Sequence, residues 1–231
     1  MANRYFDNSQ LAEAIRIANG QTKGVSHINK FGFTGTDTGG STIWDANDTT
    51  DYYPFPTSAG AVSVVSASNS GASVEVQGLD ANYKPQTVTT TIGGTTTETF
   101  SRVFRARMVD INNDADVNIN VGGNLAARIL TDNGQTLMAV YTVPARCKGY
   151  LLKFTGTTDK ANVDVKYKIF ARPSGGTFNL KGEFGTQGGN PIIYEYIVPL
   201  EFTEKTDIKI DVDNSSTAGC GATFDLLILD N

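Results

Sequence analysis

At 231 residues, with 39% hydrophobic and 19% charged side chains, the chain can bury about 70% of its unfolded surface in one large β domain or two small ones without disulfide or metal staples. A net charge of -5 leaves no clustered cations for nucleic acid or an anionic membrane, and 24 glycines among many Thr, Ser and Asn favour short strands and turns over long helices. No stretch approaches the ~20 apolar residues that span a bilayer and no apolar run follows Met1, so neither a membrane span nor a secretory leader is expected.

The chain opens on an amphipathic helix in which Leu11, Ala14, Ile15 and Ala18 share a face, Asn8 or Ser9 caps the start and Gly20 suits the end. From Gln21 to about Gly60 no period of 2 or 3.6 is sustained, while Phe31, Phe33, Trp44, Tyr52, Tyr53 and Phe55 crowd the segment. Rings at that density need a surface to pack on, so the segment is expected to be an irregular arm lying on a neighbouring subunit, or else a loop pinned down by those rings.

Beyond Gly60 the apolar-polar alternation of half-buried strands recurs: Val74 and Val76, then Val117, Ile119 and Val121. It returns in Val163, Val165, Tyr167 and Ile169, and in Ile208, Ile210 and Val212. Less regular runs at Ala61 to Val65, Phe100 to Val109, Leu137 to Val143, Tyr150 to Thr155, Ile192 to Val198 and Phe224 to Leu229 bring the total to about ten strands. Gly93-Gly94, between Thr-rich runs from Thr87 to Thr99, predicts a two-residue hairpin with little to hold it on its own domain, which either projects to pair with a neighbour or is an ordinary exposed surface hairpin. The fold class is therefore all-β, an antiparallel β-sandwich or jelly roll with one short N-terminal helix and an irregular aromatic-rich arm. Residues 1–60 form the helix and arm and residues 61–231 the sandwich, as one unit or two packed β subdomains.

Chemistry has few carriers. His27 is the single histidine and has neither a nucleophile elbow nor a second His at metal spacing. Cys147 and Cys220 are far apart and read as free, buried thiols. Arg102, Arg105 and Arg107 read as a solvated strand face, and the Gly182 to Gly189 stretch lacks the P-loop Lys and reads as a turn. Asp110, Asn112, Asp114 and Asp116 resemble the first half of a calcium loop, but Ala115 and Val121 stand where its Gly and closing Glu belong, so an Asx-rich turn is expected. No catalytic residue, cofactor or metal is assigned.

The runs Ile28 to Gly32, Ile43-Trp44-Asp45 and Tyr53 to Thr57, then Gly78 to Tyr83 and Gly134 to Pro144, resemble a group of tailed-bacteriophage virion structural proteins over most of the chain. The resemblance implies a place on a virion and a non-enzymatic role. Other virion proteins would be its partners, and head decoration, neck and tail all stay open. Free cysteines, no leader, an aromatic arm and a projecting hairpin suit assembly in the host bacterial cytoplasm into a homo-oligomer. The reading carried forward is a capsid decoration or neck component anchored to neighbouring subunits through Phe31, Trp44, Tyr52, Tyr53 and Phe55. The alternative is a receptor- or carbohydrate-binding module of a tail appendage using Tyr83, Tyr194 and Tyr196. A depolymerase acting through paired carboxylates is set aside because the chain has no β-helix repeat.

Overall fold

The computed structural model describes residues 8–37, 40–214 and 216–231, with backbone alone at 8–11 and 36–37. Helix α1 (Asn8–Ala18) ends as its sequence requires. Gln21 N–H donates to Arg16 O, Gly20 N–H donates to Ile17 O, and Gly20 has φ +67°, a Schellman closure that the absence of a Cβ allows. The proposed cap side chains of Asn8 and Ser9, and the Leu11 side chain, lie outside the described residues.

Sixteen strands follow, and every pairing between them among the described residues is antiparallel. They make two sandwiches. In the larger, one sheet runs β1 (Val25–Asp37), β16 (Ala218–Asp230), β11 (Cys147–Thr158), β14 (Ile192–Phe202). It faces a sheet running β10 (Val140–Thr142), β15 (Asp207–Asn214), β12 (Val165–Arg172), β13 (Asn179–Thr186), with β2 (Ser41–Thr42) beside β10 on the same flank of β15. Leu151, Phe154, Phe224 and Leu226 from the first sheet close on Tyr167, Ile169, Ile208 and Ile210 from the second. The smaller sandwich packs β6 (Thr95–Phe100), β3 (Gly60–Ser66), β8 (Val117–Val121), β9 (Asn124–Ile129) against β5 (Pro85–Thr91), β4 (Ser73–Leu79), β7 (Arg102–Met108). It is inserted in the chain between β2 and β10 of the larger one.

Two expectations are corrected. The segment from Gln21 to Gly60 is not irregular throughout: β1 pairs with β16 from Val25 opposite Leu229 to Thr34 opposite Cys220. Its alternation is hidden because the buried positions carry Lys30, Gly32 and Thr34 while Phe31 and Phe33 face outward. Gly32 sits where backbones nearly touch; a Cβ there would lie 2.5 Å from the Ala139 nitrogen and 2.8 Å from Ile43 O. The Gly93-Gly94 turn joins strands of different sheets, since β5 pairs with β4 and β6 with β3. Ile92 is buried in the smaller core and Gly93 N–H donates to Val64 O, so the corner is held on its own domain and does not project.

Candidate interaction surface

The five proposed anchoring residues do not meet at the surface. Trp44, Tyr53 and Phe55 are almost fully buried in the smaller core. Trp44 Nε1 donates to Thr50 O at 3.1 Å and its ring meets Tyr53 edge-on, Tyr53 meets Phe55 likewise, and Phe55 lies against Phe178. Ile43, one residue before Trp44, belongs to the core of the larger sandwich, so this strap stitches the two sandwiches together. Tyr52 is half exposed beneath Lys209 of β15, while Phe31 is half-buried on β1 with Arg105 over its ring. The neighbour that these aromatics needed is chiefly their own chain.

A buried charge cluster closes the same seam, and nothing in the sequence signalled it because its members come from strands 35 to 105 residues apart. Asp207 accepts from Arg102 Nε at 2.7 Å and Nη2 at 3.0 Å, from Arg172 Nη2 at 2.6 Å, and from Thr142 Oγ1 at 2.6 Å. Arg102 Nη1 donates to Pro56 O, and both guanidinium groups lie over the Phe55 ring. Every strong donor and acceptor here is directed into the protein, which fits a structural lock.

The remaining polar candidates are likewise engaged. His27 Nε2 lies 3.1 Å from Asp225 Oδ1, which also accepts from Asn29 Nδ2. Both cysteines are free and buried, and burial pushes the Cys147 thiol up to about 11, which withholds the thiolate at neutral pH. Asp110 accepts from Ser73 N–H, Asp114 from Asn69 Nδ2, and Asp116 from Thr131 N–H and Oγ1, so the carboxylates of the Asx-rich turn address different partners. Among the described residues no group of three or more His, Cys, Asp or Glu is placed to hold a metal ion. Tyr83 lies under Arg102 and Lys205, and Tyr196 is partly buried against the larger core.

The most exposed large apolar residues lie on a free edge of the larger sandwich. β13 and β14 are the outer strands of its two sheets, and their ends are bridged by Phe184 touching Tyr194 and Tyr194 touching Tyr196. On β14 six residues, Glu195 to Leu200, span an interval that takes three on β11, Lys153 to Leu151. The resulting bulge leaves Ile197 100% and Val198 80% exposed, beside exposed Ile193, Tyr194 and Leu180. Helix α1 is similarly bare: Ala14, Ile15 and Ala18 are exposed, and Thr22 Oγ1, in the turn that follows the helix, donates to Glu13 Oε1 at 2.7 Å. Sequence reasoning passed over Ile197 and Val198. The signal was present: Ile192 to Leu200 is apolar on both faces of a strand, and one core can cover just one of them.

These features define the class: an all-β protein of two antiparallel sandwiches, internally locked, whose most exposed large apolar residues, Ile197 and Val198, lie on an edge strand. No protein-family model and no curated protein matches the chain. Among solved structures it is similar, at 12% identity and a TM-score of 0.29 over 90% of this chain and 70% of that chain, to a structure of infectious bursal virus derived T=1 particles. For infectious bursal disease virus Gx strain the values are 10%, 0.27, 88% and 70%, and for the VP2 subviral particle of that virus 10%, 0.22, 89% and 76%. Superposition at this level assigns no role, and the functional argument rests on the chain's own surface.

Proposed function

We propose that the chain is a non-enzymatic structural component of a virion, a capsid decoration or neck protein held to neighbouring subunits. The observation that carries the reading is the exposed apolar edge of β14, with Ile197 and Val198 wholly or largely in solvent. A lone exposed aliphatic is ordinary on a soluble protein, whereas several on one bulged edge mark a surface that another protein covers. The tailed-bacteriophage resemblance supports the virion placement, and the uncovered face of α1 supports an N-terminal anchor. The anchor is α1, because Trp44, Tyr53 and Phe55 are needed inside the chain.

Deleting residues 1–20 leaves β1 and both cores intact, whereas deleting 1–60 would remove β1, β2 and the aromatic strap. The shorter deletion is expected to lose the helical contribution to the circular dichroism spectrum, to keep the β-sheet signal and melting temperature of the full chain, and to abolish loading onto particles. Equal loading of the truncated and full chains would refute the anchor.

A receptor- or carbohydrate-binding role is favoured by one observation. A cleft of about 740 Å³ opens at the β13–β14 end of the larger sandwich, lined by Asp164, Lys166, Gln187, Asn190 and Asp213, two residues along the strand from exposed Tyr194. Hydroxyl-binding side chains beside an open ring suit a saccharide. Binding of the isolated chain to a glycan array, lost in Tyr194→Ala, would establish that role; an array without signal would remove it.

A further inference from the structure

The same edge carries a charge pattern that specifies a partner. Lys181 and Glu183 flank Gly182 on β13, the outer strand of its sheet. Both are exposed, and among the described residues neither side chain has an ion pair or hydrogen bond, although Lys168 with Asp213 and Lys153 with Glu195 are paired on adjacent strands. When an antiparallel pair forms about a two-fold axis through Gly182, the register is forced. Lys181 then meets Glu183 of a second copy, and Glu183 meets its Lys181.

Charges that protect a sheet edge do so because an approaching copy brings like charge against like. Here opposite charges stand one residue either side of a glycine, so the same two side chains attract a copy and fix its register. The register shift between Ile169 and Phe170 leaves Lys181 as the extra residue and bends β13, which confines pairing to a short stretch and requires flanking side chains to supply contact area. Those side chains are in place. Phe184 touches Tyr194 at 4.9 Å, and a Cβ on Gly182 would lie 3.5 Å from the Tyr196 hydroxyl, so side chains of β14 next to the bulge reach the middle of β13.

We infer that the chain forms a two-fold dimer by antiparallel pairing of β13 with β13 of a second copy about Gly182, an inference that rests on reading this edge as an interaction surface. Light scattering after size exclusion and sedimentation equilibrium on the full chain test it with four proteins: wild type, Lys181→Glu, Glu183→Lys and the double exchange. Wild type is expected at twice the chain mass. Each single exchange creates two like-charge pairs across the axis and should weaken the dimer about ten-fold or more, and the double exchange should restore it. Circular dichroism checks that each variant is folded.

A monomeric wild type at about 100 µM overturns the dimer, because no association would be stronger than roughly millimolar. A dimer indifferent to the single exchanges, or not restored by the double one, overturns the β13 axis. If such a dimer still dissociates in Ile197→Asp, the edge remains an interaction surface with a different geometry. Loss of particle loading is read separately, so the virion role can fail while the dimer stands, and the reverse.

Discussion

Replacing Asp45 with Asn is expected to flatten the pH dependence of stability between about pH 4 and 8. Asp45 sits in the aromatic strap with its carboxyl buried: Oδ2 accepts from Leu137 N–H at 2.5 Å, and Oδ1 is buried without a partner. Burial raises its pKa from 3.8 to about 8, against the opposing pull of the Leu137 amide and Arg128. Because the folded value lies above the unfolded one, the favourable contribution is complete below pH 4 and is lost as pH rises through 8. The slope is about 1.4 kcal/mol per pH unit, on the order of 5 kcal/mol across the window.

Urea unfolding of wild type and Asp45→Asn at pH 5, 6, 7 and 8 measures it. Asn keeps an acceptor for Leu137 N–H and carries no charge, so the variant should exceed wild type by about 1.5 kcal/mol at pH 5 and by about 5 kcal/mol at pH 8. The difference between the two curves isolates Asp45 from other titrating groups. Parallel curves for the two proteins would show that Asp45 ionises freely in the folded state and would refute the reasoning.

Lys30 should give a profile of the opposite sense. It is buried on β1, with Nζ donating to Phe104 O, and burial, aided by the charge of Arg105, lowers its pKa from 10.5 to about 7. The unfolded chain therefore holds the extra proton between those values, so stability should climb from pH 7 to 10.5 in wild type and lose that climb in Lys30→Met. Asp207→Ala strands Arg102 and Arg172 without their shared carboxylate and should cost about 3–5 kcal/mol by denaturant unfolding. Trp44→Ala empties a fully buried site and should cost about 3–5 kcal/mol in the isolated chain; a loss below about 0.5 kcal/mol would return Trp44 to the role of a partner contact.

How much of this was legible in the sequence follows from where each signal resides. Strands with one wet face declared themselves: Val165, Tyr167 and Ile169 point into the core while Lys166, Lys168 and Phe170 turn outward. The helix stop at Gly20 was readable because a Schellman closure is local. β1 was hidden because its inward positions are filled by a buried lysine, a glycine pressed against backbone and a threonine, none of which scores as apolar. The Gly-Gly corner misled because a hairpin and a switch between sheets share the same turn residues and differ in where distant strands β3 and β4 lie.

The candidate site was the least legible part. Aromatic density correctly demanded a surface, but composition does not say whether that surface belongs to the same chain, and the strap and the Arg102–Asp207–Arg172 lock answer that in three dimensions. Ile197 and Val198 become exceptional when the neighbouring strand β11 is seen to need three fewer residues than β14 over the same interval.

The most direct measurement is cryo-electron microscopy of the particles that carry this chain. The proposed role requires its two-sandwich density on the capsid surface or at the neck, with α1 and the bulged edge of β14 buried against neighbouring subunits. Particles without a copy of the chain, or copies whose α1 and β14 edge both face solvent, would contradict it.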